Sequence, residues 1–468
     1  MNSLRFTARL LFILLIGLSC VWADDNPAQL SLTDAVATAL KANVSLKSAE
    51  EGYNTSLSNL KIAGYQTYLG LGATTNVGRD TGESTHTGQI YTSLDYENFL
   101  GTKASLEVSP YGLGDTNGSM AFSLRHPFLK GGGRLSEKAY LLQRMHSSVT
   151  IGDRELFQTR QSIVQRVIEA YYQAVQAREE VKVQESALKI AEEVADGTRK
   201  REKEGLVAGI EVSRADDNVA QTRDALNLKR QAERGSMDRL MLAIGKGIGQ
   251  SPELTDSVPD VSVDVSLEIL PIGKAIDTAL MNRAELVVYN ERISEQKRKL
   301  AISNDALRTE MNLVANFNSA DTDNGLISGD IFDADSTNVG IEMRLPLDKR
   351  IGLEERDIAV REIGILNEER TYKIDQITEE VRSAYRSFES AQISLGIYSK
   401  NLQDAKDRLH IAQRMLEEGE GSNREVLEAQ VSLSRTENSL LSAKTDLYLA
   451  GINLKHAMGE DLTTMRLK

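Results

Sequence analysis

The chain has 468 residues, a formal net charge of −13 and one cysteine. Its acidity excludes a nucleic-acid surface, which needs clustered Lys and Arg against phosphate. The one cysteine, Cys20, lies in a segment that reads as removable, so the mature chain must be stabilised by packing without a disulfide.

The first element is a leader. Arg5 and Arg9 precede the apolar run Leu10 to Leu18, and Val21-Trp22-Ala23 ends in a small-x-small pattern. The run is too short to cross a bilayer, so residues 1–23 read as a secretory signal peptide cut after Ala23. Cys20 would suit a lipid anchor, but Leu18 stands one place from the usual lipobox position. No later run of 18 apolar residues exists, so any membrane contact must come from strands or from the surface.

From there the sequence repeats itself. Ala35, Thr38, Ala39, Leu40 and Leu46 return 240 positions later as Ala275, Thr278, Ala279, Leu280 and Leu286. Leu188, Glu204, Gly205, Glu211, Val212 and Gly245 return at an offset of 214 as Leu402, Glu418, Gly419, Glu425, Val426 and Gly459. So long a period means a duplicated structural half. The repeats are expected over 24–245 and 271–468, joined by a linker at 246–270. Each half reads in the same order: short helical segment, strands, a very long helix, a turn, a return helix.

The strand segments have period two. Leu69, Leu71, Ala73, Thr75 and Val77 form one alternating face, and Met120, Phe122 and Leu124 another. The second half offers Met311, Leu313, Ala315 and Phe317, then Val339, Ile341, Met343 and Leu345. One apolar and one polar face suit a transmembrane barrel, as they also suit a soluble sandwich. Four principal strands cannot close a barrel alone, and lipid tolerates no open edge, so closure requires several chains. Pro127 and Pro346 stand where the last strand of each half ends, where a ladder donor is no longer needed. The first half also holds 21 additional residues, because the offset falls from 240 to 219. Gln89 to Tyr96 and Lys103 to Ser109 look like an added hairpin around Gly101, an extended outer loop or a strand extension without a second-half partner. Segment 320–336, rich in Asp, Gly and Ser, reads as an exposed loop.

The long helices follow from proline spacing. Residues 128–251 and 347–468 contain no proline, which costs about 3 kcal/mol inside a helix. Ile374, Ile377, Val381, Ala384, Phe388, Ala391, Leu395 and Tyr398 alternate spacings of three and four. Ile163, Val167, Ala170, Ala174, Ala177 and Val181 follow the same rule, as do Val426, Ala429, Leu433, Thr436, Leu440 and Ala443. A sustained 3.5-residue repeat is a coiled-coil seam. The outbound helix from Arg134 to Lys203 would measure about 105 Å.

The hairpin tips are marked by glycine. Gly419 is placed to end one helix, and Ser422-Asn423-Arg424-Glu425 reads as a capping box opening the next. Its first-half counterpart is Gly205-Leu206-Val207-Ala208, followed by Glu211 and Val212.

With these tips, the sequence resembles the TolC-like outer-membrane efflux family. The likeness is carried by Gly205-Leu206-Val207-Ala208 with Glu211-Val212, and by Gly419 with Glu425-Val426-Leu427-Glu428-Ala429. His126-Pro127-Phe128-Leu129 running into Gly131-Gly132-Gly133, and Asn282-Arg283-Ala284-Glu285-Leu286, add to it. The resemblance implies an α+β membrane protein: a homotrimer with four barrel strands per chain, twelve in all, and coiled-coil hairpins forming an α-barrel below. It implies an outer-membrane location in a Gram-negative bacterium with a long periplasmic portion. Such channels are the exit duct of a tripartite efflux pump or type I secretion system, joined to an inner-membrane pump by a periplasmic adaptor. The tips, Gly205, Leu206, Val207, Ala208, Gly419, Glu420, Gly421 and Ser422, would be the adaptor contact.

The resemblance also implies an acidic ring at the closed entrance. The matching positions are Glu425 and Glu428, with Glu211 as first-half equivalent. Spaced i, i+3, the first two share a helix face, although Glu425 also fits a cap and a first-turn acid suits the helix dipole. Where the family places a basic latch residue, this chain has Gly421, and an aromatic tether position holds Leu416. Arg424 is the substitute at hand for the latch.

An enzyme is disfavoured. The five histidines, at 86, 126, 146, 410 and 456, show no metal-ligand spacing, and no nucleophile elbow, phosphate loop or HExxH element occurs. No cofactor or metal is expected. The alternative reading is a periplasmic coiled-coil adaptor or a structural protein of an export complex. Adaptors carry one hairpin with lipoyl-like and Gly/Pro-rich β-domains, whereas this chain has two hairpins.

Overall fold

A computed structural model describes residues 29–65, 70–79, 86–109, 119–249, 252–258, 270–320, 336–418 and 420–463. The signal peptide with Cys20, most of segment 320–336 and Gly419 therefore lie outside the described residues.

The first repeat opens with strand β1 (Gln29–Leu30), helix α1 (Leu32–Ala42) and helix α2 (Val44–Tyr65). Strands β2 (Gly70–Arg79), β3 (His86–Glu97), β4 (Lys103–Ser109) and β5 (Ser119–Pro127) follow. The long hairpin is α3 (Glu137–Lys203) and α4 (Gly209–Ile244). After the short β6 (Glu253–Leu254) the order returns: α5 (Ile272–Asn282), α6 (Ala284–Ala306), β7 (Glu310–Ala320), β8 (Ser336–Arg344), α7 (Arg350–Glu418) and α8 (Asn423–Ala457). The long helices have 67 and 69 residues, about 100 Å each.

The buried residues of the second hairpin keep the spacing of threes and fours. Ile377, Val381, Phe388, Ala391, Ala405 and Leu409 face inward from α7, and Val426, Leu433, Leu447 and Leu454 from α8. Halfway up the rods lies a thicker core. Leu30, Leu32 and Ala35 pack there on Val164, Ile168, Tyr171 and Val175 of α3 and on Leu240 and Ile244 of α4. Full burial of each such aliphatic side chain is worth about 1.5–3 kcal/mol. Ala275, Ala279 and Leu286 pack on Ile377, Val381 and Leu454 at the equivalent place in the second repeat.

The duplication extends to backbone detail. Gly245 ends α4 at φ 82°, and a Cβ there would sit 3.3 Å from the Ala42 and Asn43 backbone. Gly459 follows α8 at φ 72°, where a Cβ would sit 3.1–3.2 Å from Asn282 and Arg283. Each return helix thus ends against the kink between the two short helices of its own repeat, and only glycine fits both the left-handed turn and the gap.

The linker is fastened back onto the first repeat. β1 and β6 pair in parallel, Leu30 beside Leu254. Asp256 Oδ2 accepts from the Leu32 amide at 2.9 Å and from the Tyr171 hydroxyl at 2.6 Å. Arg178 donates to the Leu254 carbonyl and, at 2.7 Å, to the Asp256 carbonyl. Burial pushes the Tyr171 phenol upward in pKa, and its bond to Asp256 adds to the effect.

The sheet differs from expectation in strand count. It holds six strands in the order β2-β3-β4-β5-β7-β8, all antiparallel. The four anticipated strands are present, but the additional first-half segment forms β3 and β4 and stands between β2 and β5. The sheet of one chain therefore holds two strands beyond the four principal ones expected. The period-two faces run across the ladders. Leu94, Leu106, Phe122 and Phe317 follow one another on one face, with Asp95, Ser105, Ser123 and Asn316 in the next row on the other. Leu71, Val339, Ile341 and Met343 on the apolar face are more than half exposed.

Candidate functional site

The rods carry their turning and charged residues at the ends farthest from the sheet. At the first tip Gly205 adopts φ 76°, while the Gly205 and Leu206 amides bond back to Glu202 and Arg201 at 2.8 Å. These bonds satisfy carbonyls that the end of α3 would leave open. Leu206 is 65% exposed and Ile210 59%, so the tip presents apolar side chains to its surroundings. Ala208 opens α4 without a side-chain cap, and Glu211 supplies the negative charge in the first turn.

The second tip is held more tightly. The Glu420 and Gly421 amides both donate to the Met415 carbonyl at 2.9 Å. The capping box forms: the Ser422 hydroxyl accepts from the Glu425 amide, and Glu425 Oε2 accepts from the Ser422 amide at 2.9 Å. Glycine at 421 has a steric reason. A Cβ there would lie 3.0 Å from the Met415 and Leu416 backbone, so a basic latch side chain at this position would have to push the turn aside by a few tenths of an ångström.

Of the four residues expected at the constriction, three meet. Glu211, Arg424 and Glu428 line one cleft between α4 and α8, together with Arg214, Asn218, Asn423, Leu427 and Val431. Glu425 is not among its walls. The cleft is internally neutralised: Glu211 pairs with Arg214 at 2.6 Å, and Arg424 Nε bonds Glu428 Oε1 at 2.7 Å. That carboxylate raises the Arg424 pKa, by hydrogen bond first and charge second.

Two further side chains tie the hairpins together at this end. Buried Asn423 donates from Nδ2 to Thr198 Oγ1 at 2.8 Å. Arg201 reaches the Leu416 carbonyl at 3.4 Å. Asn423 and Thr198 are 225 positions apart, so no spacing rule could have paired them. Their signal is a polar residue on a largely apolar stripe.

Above the cleft, and sharing Asn218, Leu427 and Val431 with it, a groove runs along the rods. Its walls are small and polar. Ser383, Ser387, Ser390 and Ser394 rise along α7 opposite Gln184 and Gln221 of the first hairpin, with a volume near 1080 Å³. Serine at spacings of three and four keeps one helix face wettable and without bulk. Among the described residues no group of three or more His, Cys, Asp or Glu could hold a metal ion, and no helix is long and apolar enough to cross a membrane.

A duplicated pair of 100 Å rods, an amphipathic sheet at one end and a charged cleft at the other set the terms for comparison. The family profile described as outer membrane efflux protein matches residues 35–246 and 275–460. The chain belongs to the outer membrane efflux protein family. No curated protein matches its sequence. Among solved structures, this outer membrane efflux protein is similar to CusC, a transmembrane channel, with TM-score 0.71, 16% identity and 92% of each chain covered. It is also similar to the Neisseria gonorrhoeae MtrE outer membrane channel in its open state, with TM-score 0.70, 14% identity, and 92% of this chain and 89% of that one covered. The Campylobacter jejuni CmeC outer membrane channel gives 0.67 at 16% identity, over 92% and 85% of the respective chains. The fold of this efflux protein is that of these outer membrane channels, duplicated and α+β as expected.

Proposed function

We propose that three copies of this chain close a channel through the outer membrane of a Gram-negative bacterium, with the helical rods hanging into the periplasm. In this reading residues 1–23 direct export, and 24–245 and 271–468 are the two repeats around the linker 246–270. The channel is a passive duct for an inner-membrane pump, reached through a periplasmic adaptor at the tips around Gly205-Leu206-Val207-Ala208 and Gly419-Glu420-Gly421-Ser422. The entrance is narrowed by Glu211, Arg424 and Glu428, with Glu425 beside them. The apolar side chains Leu206 and Ile210 give an adaptor something to bury.

The observation that carries this reading is the sheet. Within one chain β2 and β8 have no outer neighbour among the described residues, while one face exposes Leu71, Val339, Ile341 and Met343. An amphipathic sheet with two open edges is unstable in lipid unless copies of itself close the ring. A periplasmic adaptor or a plain coiled-coil scaffold gains nothing from such a face.

The test is the mass of the detergent-purified protein. Three mature chains plus micelle are expected, with β-structure retained. A monodisperse monomer with full β-content would remove the trimeric duct.

A further inference from the structure

The segment without a second-half partner, 86–109, was expected to lie outside the repeated plan, yet it enters the sheet as two full neighbours. We propose that the β3–β4 hairpin is a lipid-facing segment of the transmembrane wall, so that three chains close eighteen strands and the hairpin sets the bore of the outer pore. The proposal rests on the trimeric reading above.

Three observations point the same way. The first is position. β2 pairs with β3 over ten residues and β4 with β5 over seven, while β2 and β5 share no ladder. A loop outside the wall would leave β2 on β5, as β7 lies on β8. The hairpin instead sets them three strand spacings apart, about 14 Å.

The second is the continuity of faces. Paired residues on neighbouring strands share a face. Leu94 pairs with Leu106 and Leu106 with Phe122, so the apolar row of the four common strands passes unbroken through the inserted pair. On the opposite face Ser105 and Ser123 meet at 2.8 Å, and Lys103 pairs with Glu97 at 3.6 Å. An outer loop standing in water has no reason to keep this register, because a shift of one residue would turn its leucines the other way.

The third is anchorage. The turn between β3 and β4 is built into the joint between sheet and rod. Gly133 donates to the Leu100 carbonyl at 3.0 Å, the Ser136 hydroxyl to the Phe99 carbonyl at 2.6 Å, and Thr102 Oγ1 lies 2.8 Å from His126 Nδ1. Gly101, at φ 83°, comes so close that a Cβ would fall 2.6 Å from the Gly131 carbonyl. The hairpin thus begins at the same level as the start of α3, which is where a wall strand must begin.

The consequence is a wider mouth. Barrel diameter grows roughly linearly with strand number, so eighteen strands give a bore about 1.5 times that of twelve. The inserted pair also adds Asp95, Glu97, Lys103 and Glu107 to the inner, polar face.

The experiment uses the only cysteine's position. Because Cys20 lies in the leader, single cysteines can be placed at Leu94, Leu106 and Val108, and at Asp95, Ser105 and Glu107, in the full protein reconstituted into liposomes. A membrane-impermeant charged maleimide should label the second set at least ten times faster than the first, and a lipid-soluble maleimide should reverse the order. Equal labelling of both sets by the impermeant reagent would overturn the assignment. A second measurement uses deletion of 86–109, which keeps β2 and β5 antiparallel. Polymer exclusion from the outer side should then shift to smaller polymers, and an unchanged cut-off in a folded deletion variant would overturn the claim about bore. Chain mass separates the two ideas: alternating labels in a dimer sink the trimer and keep the wall, while a trimer without alternation does the reverse.

Discussion

At the scale of single residues, the tip cleft changes the meaning of its carboxylates. Bare glutamates around a narrow entrance would draw cations, but Glu428 is matched by Arg424 at 2.7 Å and Glu211 by Arg214 at 2.6 Å. Exposed pairs of this kind contribute little to stability, so their loss should change selectivity and leave the fold intact. Arg424→Gln should uncover Glu428 and raise cation preference in planar bilayers. Glu428→Gln should leave Arg424 uncovered and lower it. Equal selectivity in the two variants would place the pair away from the ion path. A second residue-scale prediction concerns His456. Burial holds its imidazole below the usual value, Arg283 nearby adds to this, and Glu285 and Glu380 oppose it. A histidine with a lowered folded pKa stabilises fully above its unfolded value, about 6.5, and loses that stabilisation as pH falls through the folded value. The apparent melting temperature should therefore drop between pH 7 and pH 5, and His456→Gln should flatten that part of the profile.

At the scale of elements, glycines in similar helices should respond in opposite ways. Gly197 lies inside α3 with nothing within 4 Å of a Cβ, whereas Gly459 has φ 72° and neighbours at 3.1–3.2 Å. Gly197→Ala should stabilise by about 0.5–1 kcal/mol. Gly459→Ala should destabilise by about 1–2 kcal/mol from the left-handed backbone alone, with crowding against Asn282 in addition. Thermal melts of the two variants, read against the unaltered protein, check both signs. The rods were legible because their signal is long: Ile377, Val381, Phe388 and Ala391 keep one alternation of threes and fours, and each is buried. The capping box at Ser422 and Glu425 was legible because it is local. The β3–β4 pair was seen as a hairpin but not as wall. Its alternating run Ala104, Leu106, Val108 is short, and what decides its place is the pairing of Leu106 with Phe122, a contact between strands. The Asn423–Thr198 bond was invisible for the same reason, since it joins two repeats.

At the scale of the whole molecule, the clip formed by Leu30, Leu254 and Asp256 holds the start of the first repeat against the start of the linker. Asp256→Ala would strip the acceptor from the Leu32 amide while leaving the Tyr171 hydroxyl its bond to the Leu30 carbonyl at 3.0 Å. An unmatched part-buried amide costs about 1–3 kcal/mol. The loss should fall on the clip and spare the rods, so limited proteolysis should cut between residues 246 and 270 faster while circular dichroism keeps its helical signal. A global loss of helix would show that the clip holds the rods themselves together.

That clip also bears on how such a protein could arise. Strand β1 leads into the first repeat and β6 leads toward the second, and the two lie side by side in parallel. The first repeat therefore leaves and re-enters the structure at nearly one point, about 224 residues later. A gene segment encoding a unit whose ends coincide can be copied in tandem without rerouting either copy.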